Sequence, residues 1–324
     1  MSELSIFARQ TLLPEVGAEG QSRLSTAHVL VVGAGGLGCP VLQYLAAAGI
    51  GQITIMDHDH VERSNLHRQP LYGLDDIGHS KAEAAAQRLQ SMGDVQVTAD
   101  IRRLGASNAA EVVKPVDLVV DAADSFAVSF ILSDECLAQS KPLISASALG
   151  LQGYVGGFCG GAPSLRAVFP DLPEQAATCA TAGVLGPVVG TIGAVQAQMV
   201  LGTLLGWDAP APLGQMMIFD LKRFAPSAFR FDGAPEPEIS WRFLSRADLA
   251  DQPLVIELRP DTESPEPACA NALRVLPDDI ATVAIDPHKP VTLCCHSGLR
   301  AWRAGRALAA LGQKEITLFA ASAE

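Results

Sequence analysis

The sequence predicts an α/β protein built on a doubly wound, mostly parallel β-sheet, followed by a second and smaller α/β domain. Short apolar runs alternate with helical segments along the first two thirds of the chain, as in parallel sheets whose strands are joined by crossover helices. The glycine-rich stretch VVGAGGLGCP, residues 31–40, joins the first apolar run to the first helix. The stretch DGAPEPEIS then interrupts the alternation, and a shorter α/β pattern follows it.

The elements of the first domain follow in a regular order. AHVLVVG predicts a buried strand, GCPVLQYLAAAGI a helix, GQITIMD a second strand and HSKAEAAAQRLQSM an amphipathic helix. VQVTAD, VDLVVDA and KPLISASA continue the strands, with SFILSDECLAQS as a helix between the last two. We place the first domain at residues 1–231, a linker at 232–239 and the second domain at 240–324. In the second domain PLVIELRP, PVTLCCHSGLR and AGRALAALG form a smaller α/β pattern.

Composition and charge exclude several classes of function. A net charge of −12 over 324 residues, with a pI near 5.0, argues against a nucleic-acid partner, since phosphate contacts need clustered cations. Seven Cys without a framework spacing and a start without a secretory signal predict a cytoplasmic protein with reduced thiols. Residues 29–51 and 183–206 are apolar, but Gly, Pro and Gln interrupt them. This favours buried segments over membrane spans, with a buried helix in the second stretch.

The glycine-rich turn predicts a phosphate-binding loop. Gly33, Gly35, Gly36 and Gly38 allow a tight turn that presents backbone amides to an anion at the start of a helix. Asp57 ends the next strand, where a carboxylate can bind ribose hydroxyls. These residues suit NAD and ATP equally well.

The following segments favour ATP. Arg63, Arg68 and Lys81 follow the second strand, together with Asn65. A pyrophosphate leaving group needs cations such as these three. The stretch VVDAADSF brings two carboxylates to the end of a later strand. The second of them, Asp124, is the preferred ligand for Mg²⁺, whereas the first, Asp121, suits a strand-end capping role.

At these positions the chain resembles the E1-like adenylating enzymes of the ThiF/MoeB/HesA family, which activate ubiquitin-like sulfur carriers in molybdopterin and thiamine biosynthesis. The resemblance covers residues 8 to about 230 and rests on ARQTLLPEVGAEGQSRL, VVGAGGLGCPVLQYLAAAGIG, DHDHVERSNLHRQ, DIGHSKA, DAADSF and GVLGPVVGTIGAVQA, in the family's order.

The resemblance implies ATP- and Mg²⁺-dependent adenylation of the C-terminal glycine of a carrier protein ending in Gly-Gly. It also implies a homodimer in which Arg9 reaches the partner's site. The catalytic residues implied are Arg9, Asn65, Arg68, Lys81 and Asp124. The nucleotide site would add the four glycines of the loop and Asp57, Ser64, Leu66, His67 and Ser125.

Of two further features of the family, this sequence keeps one and lacks the other. Cys179, in PEQAATCATAGVLG, resembles the crossover-loop cysteine that attacks the acyl adenylate in some members, although an inert thiol remains an alternative. Many members hold a structural zinc with two C-x-x-C pairs, but Ser164 and Ala167 occupy the first pair's positions here and FRFDGAPEPEI contains no second pair. The sequence therefore predicts no zinc site, and a region that holds by packing alone or is looser.

The second domain contains a candidate sulfur site. In VTLCCHSGLRAWRAGRALAALG a strand ends in Cys295, and a short loop with Gly298 and Arg300 leads into a helix whose amides can stabilise a thiolate or persulfide. This resembles a shortened rhodanese domain, with Glu257 and Ala301 departing from its pattern. Cys295 is thus the predicted sulfurtransferase nucleophile.

Two other functions stay open at this point. A nicotinamide-dependent oxidoreductase would use the glycine loop and Asp57, but it leaves Arg68, Lys81 and Asp124 without a role. A noncatalytic scaffold that binds the carrier is the other alternative. The sequence names neither the carrier and its pathway nor the sulfur donor, for which a cysteine desulfurase and thiosulfate are both candidates.

Overall fold

The computed structural model describes residues 6–171, 183–238 and 240–324. Its main sheet has eight strands in the order β3-β2-β1-β4-β5-β6-β7-β8. The pairings from β3 to β5 are parallel, so the predicted doubly wound α/β sheet is confirmed in this half. The strands are β1 His28–Val32, β2 Gln52–Met56, β3 Gln96–Asp100, β4 Leu118–Asp121, β5 Pro142–Leu149, β6 Gln152–Cys159, β7 Gln215–Asp220 and β8 Ala225–Arg230.

The other half of the sheet is an antiparallel extension. The pairings β5-β6, β6-β7 and β7-β8 are all antiparallel. Strands β6, β7 and β8 were not predicted from the sequence. β8 is exposed along its whole length, so it lacks the buried apolar run by which the parallel strands were recognised.

Helices cover both faces of the parallel half. The first-domain helices are α1 Gly17–Thr26, α2 Gly38–Ala47, α3 Lys81–Gln90, α4 Ala109–Val113, α5 Phe126–Ala138, α6 Leu165–Val168 and α7 Gly186–Leu205. Along β1, Val29 and Val31 join one apolar core while Leu30 and Val32 join the other. This two-sided burial explains why the strand reads as a continuous apolar run.

The long apolar helix α7 packs on the glycine loop and on α2. A Cβ at Gly193 would lie 2.6 Å from the Leu37 carbonyl oxygen, and one at Gly36 would lie 3.1 Å from the Val189 side chain. Among the described residues, α7 is the one helix whose length and apolar composition would suit a membrane span, and 56% of its most apolar stretch is buried inside the protein.

A separate four-stranded sheet follows. Its strands β9 Val255–Glu257, β10 Leu273–Arg274, β11 Val291–Cys295 and β12 Ile316–Ala320 are all parallel, in the order β10-β9-β11-β12. Helix α8 Leu299–Ala310 packs on it. Trp302 of α8 and Phe243 share one apolar core with Val128 and Phe130 of α5, so the second sheet lies against the α5 side of the first domain.

Polar contacts hold the region around Ser164, where many family members have a structural zinc. The Ser164 hydroxyl donates to Glu236 Oε2 at 2.5 Å, and the Ser164 backbone amide donates to Glu236 Oε1 at 2.7 Å. Arg166 donates to both carboxylate oxygens of Asp134, at 2.6 and 2.8 Å, and to the Trp241 carbonyl. The expectation that packing alone holds this region is therefore wrong. We call these contacts of Ser164, Arg166, Asp134, Glu236 and Trp241 the polar clamp.

Candidate active site

The glycine loop, residues 33–38, passes directly over the end of β4. Gly33 has φ +95°, and a Cβ there would lie 2.6 Å from the Ala122 carbonyl oxygen. A Cβ at Gly38 would collide with the Gly33 carbonyl. Only glycine fits these two positions. The resulting tight turn places backbone amides at the start of α2, as phosphate binding requires.

Asp57, just after β2, is fastened to this loop. Its Oδ2 accepts the Ala34 amide at 2.7 Å and its Oδ1 accepts the Asp59 amide at 2.8 Å. Burial raises the pKa of the Asp57 carboxyl, and the nearby Lys81 charge opposes this shift. Asp57 thus lies at the edge of the loop, where each oxygen keeps a further lone pair for a ribose hydroxyl.

Lys81 is buried and held in a defined position. Its Nζ lies 2.9 Å from Asp59 Oδ2, and its side chain is 8% exposed. Burial by itself would raise the pKa of Asp59, but the Lys81 hydrogen bond and charge hold it below its ordinary value. The Tyr72 hydroxyl lies 2.8 Å from the Ala34 carbonyl oxygen and 3.2 Å from that of Lys81. Tyr72 therefore ties the start of α3 to the glycine loop.

Residues 63–69 cross the site as a compact turn. The Asn65 carbonyl accepts the amides of Arg68 and Gln69 at 3.0 and 3.1 Å. The Arg68 guanidinium donates to the Ser64 carbonyl at 3.1 Å and lies 3.0 Å from His67 Nε2. Asn65 is 8% exposed, whereas Ser64 and His67 are exposed. The turn therefore fixes Arg68 through local backbone contacts.

The two carboxylates after β4 have different environments. Asp121 is fully buried, accepts the Ser145 hydroxyl at 2.7 Å and the Ala123 amide at 3.2 Å, and has a pKa raised by burial. Asp124 is exposed at the same edge of the sheet. These positions suit an internal role for Asp121 and an accessible metal-binding role for Asp124.

The arrangement fits a nucleotide. Two buried polar atoms at the site, Gln69 Oε1 and Ser125 Oγ, have no hydrogen-bond partner within the described chain. A Cβ at Gly35 would lie 3.6 Å from the Gln69 amide nitrogen, so Gln69 adjoins the phosphate-binding loop. Unpaired buried polar atoms are costly, and a bound ligand would supply their partners. Sequence reasoning missed Asp59 and Tyr72, because their partners are distant in sequence or are backbone atoms. It missed Gln69, because the burial of its side chain is apparent only in the folded chain.

One predicted residue, Arg9, does not join this site within its own chain. Arg9 is exposed in a segment that packs at the far end of α2, where Gln10 Nε2 donates to the Ala48 carbonyl at 2.8 Å and a Cβ at Gly49 would lie 2.6 Å from the Phe7 ring. Because α2 rises about 1.5 Å per residue, its ten residues separate that end from the glycine loop by about 15 Å. Cys179 lies outside the described residues.

Cys295 forms a second, separate site at the end of β11. Its sulfur accepts the Gly298 amide at 3.1 Å and the Ala301 amide at 3.4 Å, as the predicted loop requires. However, Cys295 is 0% exposed. Burial raises the pKa of its thiol, although the amides and the Arg300 charge oppose this. This direction is opposite to the one expected of a loop that favours a thiolate, because desolvation outweighs the aimed amides.

The Phe243 ring and the first turn of α5 cover the Cys295 loop. Gly298 has φ +87°, and a Cβ there would lie 2.8 Å from the Phe243 ring and 3.7 Å from the Ala127 side chain. Ala127 lies in the first turn of α5, three residues after Asp124. The two candidate sites therefore lie on neighbouring parts of one structure.

Together, the glycine loop, the anchored lysine and the carboxylates at the strand ends are typical of the nucleotide-binding class of α/β proteins. The chain belongs to the ThiF family, whose model matches residues 7–240. The second sheet lies beyond the matched residues.

The chain is similar to curated members of this family. It is 43% identical over 227 residues to the sulfur carrier protein adenylyltransferase of Thermus thermophilus, covering 67% of this chain and 83% of the relative. It is 41% identical over 223 residues to the adenylyltransferase and sulfurtransferase MOCS3 of Drosophila ananassae and 44% identical over 222 residues to that of Mus musculus. Each match covers 67% of this chain, and the chain spans about half the length of these MOCS3 relatives, 49% and 48%.

Solved structures support the fold. Escherichia coli MccB in complex with ATP superposes with a TM-score of 0.63 at 21% identity, covering 74% of each chain. MccB with MccA-N7isoASN gives a TM-score of 0.64 at 22% identity, covering 73% of this chain and 75% of the other. At this level of identity the similarity establishes the shared α/β architecture.

Proposed function

We propose that this protein adenylates the C-terminal glycine of a ubiquitin-like sulfur carrier protein ending in Gly-Gly, using ATP. The observation that carries the proposal is that the segments bearing Lys81, Arg68 and Asp124 all adjoin the glycine loop. The Tyr72 hydroxyl bridges the carbonyls of Ala34 and Lys81. Gln69, next to Arg68, adjoins Gly35, and the residues just before Asp124 pack against Gly33. A sulfur carrier as the substrate is supported by the similarity to the Thermus adenylyltransferase.

In the proposed reaction the glycine carboxylate attacks the α-phosphorus of ATP, and the bond to the β-phosphate oxygen breaks. The products are an acyl adenylate and pyrophosphate. Asp57 would bind the ribose and the loop amides the phosphates, while Arg68 and Lys81 would neutralise the charge that develops on the phosphoryl and leaving oxygens. Mg²⁺, when bound at Asp124, would supply further neutralisation of the triphosphate.

We propose that Arg9 completes the site of a second subunit in a homodimer. Its position at the remote end of α2 gives it no short path to the glycine loop of its own chain. Exposed apolar side chains surround that end, with Leu12 76%, Leu13 53% and Tyr44 56% exposed. Such a patch is typical of an association surface.

A second step would transfer sulfur. The terminal sulfur of a Cys295 persulfide would attack the acyl carbonyl, releasing AMP and leaving an acyl disulfide between carrier and enzyme. A second thiol, for which Cys179 is the candidate, would then attack Cys295 Sγ and release the carrier thiocarboxylate. Support comes from the two amides aimed at the Cys295 sulfur and from its place beside the first turn of α5. The buried thiol must become accessible for this step.

Carrier-dependent exchange of labelled pyrophosphate into ATP tests the first step. Asp124→Asn should lower the exchange rate by about 100-fold, a typical loss when one charge-stabilising group is removed from a site. Asp94→Asn is the matched control, since Asp94 is exposed before the amino end of β3, at the opposite edge of the sheet, and should exchange at the wild-type rate.

Three outcomes separate the candidate functions. Wild-type exchange in Asp124→Asn would refute the assigned role of Asp124. Absence of exchange in the wild-type protein, with the carrier still bound, would favour a scaffold. Absence of both, with binding of NAD, would favour an oxidoreductase.

A further inference from the structure

The Cys295 loop contains a cation that is already neutralised. Arg300 is the one Arg or Lys in residues 295–300. Its two terminal nitrogens lie 2.7 and 2.5 Å from the two carboxylate oxygens of Glu263. The Arg300 hydrogen bonds hold the pKa of Glu263 below its ordinary value, so the carboxylate is ionised at neutral pH. The pair therefore adds no net charge to the loop.

The neighbouring arginines are also paired. Arg259 donates to both oxygens of buried Glu257 at 2.8 and 2.6 Å, and Arg274 Nε lies 2.8 Å from Asp261. Each of these three cations faces one carboxylate. These three paired cations therefore offer an incoming anion little net positive charge.

We propose that Glu263 sets the class of sulfur donor: the Cys295 loop takes sulfane sulfur from uncharged or singly charged donors, such as the persulfide of a protein thiol, and disfavours dianions such as thiosulfate. This inference rests on the sulfur step of the proposed function. It assigns to Glu263 a specificity-determining role that acts through Arg300.

The charge balance of the reaction gives the reason. With thiosulfate, the Cys295 thiolate attacks the outer sulfur, the S–S bond breaks and sulfite leaves, so three negative charges share the loop throughout. With a protonated persulfide, R–S–SH, the same attack forms the Cys295 persulfide and releases R–S⁻ as the donor's S–S bond breaks, with one negative charge in total. Because Glu263 cancels the Arg300 charge, it removes more stabilisation from the first reaction than from the second.

The test compares thiosulfate with benzenethiosulfonate, a singly charged donor of the same sulfane sulfur. Mass spectrometry of the Cys295 peptide measures the rate at which one sulfur atom is added, using the full-length protein. Glu263→Gln should raise the rate with thiosulfate about tenfold and that with benzenethiosulfonate about threefold, because removing one charge changes the repulsion in proportion to the donor's charge. This difference should shrink in 1 M salt, where the Debye length is about 3 Å.

Two controls accompany the test. Glu266→Gln removes an equal charge from an exposed residue of the same segment and should leave both rates unchanged. Cys295→Ala should gain no sulfur on this peptide.

The outcomes separate the role of Glu263 from the sulfur-transfer step on which it depends. Equal effects of Glu263→Gln on both donors, or no effect on thiosulfate, would overturn the role of Glu263 while the sulfur step stands. Loading by neither donor in any variant would overturn the sulfur step and the donor preference together, while pyrophosphate exchange would still test adenylation independently.

Discussion

Replacing Ser164 with Ala should destabilise the protein substantially, because Ser164 holds one end of the polar clamp. Its hydroxyl accepts the Arg166 and Ala167 amides at 3.1 and 3.3 Å as the N-cap of α6, and donates to Glu236 Oε2 at 2.5 Å. Ser164 is 1% exposed. The substitution therefore leaves two amides and one carboxylate oxygen without this partner.

The expected loss follows from these contacts. An N-cap contributes about 1 kcal/mol, and a hydrogen bond to a charged group about 1.5–3 kcal/mol. For the hydrogen bond to Glu236 we take the lower value, about 1.5 kcal/mol, because Glu236 is exposed to solvent. The free energy of unfolding should thus fall by about 2.5 kcal/mol. Glu236→Gln should lose less, since its amide oxygen can still accept a hydrogen bond.

Urea unfolding followed by tryptophan fluorescence measures this loss. Trp241 and Trp302 lie 4.8 Å apart, ring centre to ring centre, and Arg166 of the clamp lies over the Trp302 ring, so the probe reports on the clamp region. Ser227→Ala, at an exposed position of β8, is the control and should change stability by less than about 0.5 kcal/mol.

A double-mutant cycle that combines Ser164→Ala with Glu236→Gln measures the interaction energy between Ser164 and Glu236. Its coupling energy should reach about 1 kcal/mol if the two side chains act together. A Ser164→Ala protein as stable as the control would refute the clamp. So would one zinc per chain retained through dialysis of the wild-type protein, because the metal would then hold the region.

Two other predictions concern the two sites. Arg9→Ala and Asp124→Asn, each inactive alone, should recover part of the exchange activity after subunits are mixed and allowed to exchange, because one mixed-dimer site would then be intact; no recovery despite demonstrated exchange would contradict a role in trans. The alkylation rate of Cys295 should rise with pH to a midpoint above about 8.5, the ordinary cysteine value, because burial raises its pKa and the reactive thiolate forms only at higher pH; a midpoint below that value would show that the loop amides prevail.

The local sequence pattern was sufficient to predict the parallel half of the main sheet. Strands buried on both faces read as continuous apolar runs, and the turn at Gly33 demands a residue without a side chain. In the antiparallel extension, β8 was not predicted because it is exposed on both faces and carries no such run. The ThiF family was likewise recognisable from contiguous motifs, and the match over residues 7–240 confirmed it.

The candidate site was predicted as a set of residue types, but its internal support was not. Lys81 and Arg68 were selected as candidates because a pyrophosphate leaving group needs cations. The partner of Lys81, Asp59, and the link from Tyr72 to the Ala34 carbonyl depend on atoms that come together only in the folded chain. Long-range hydrogen bonds of this kind leave no periodic signal.

What the sequence by itself determined is therefore the set of groups available: a glycine loop, cations and carboxylates after the strands, a cysteine before a helix, and serine and alanine in place of zinc ligands. The tertiary structure decided how they act. Ser164 meets Glu236 across 72 residues, and Cys295 is enclosed by Phe243 and the first turn of α5. Burial and pairing depend on the whole surrounding structure, so the same thiol or carboxylate can be reactive in one fold and held in another.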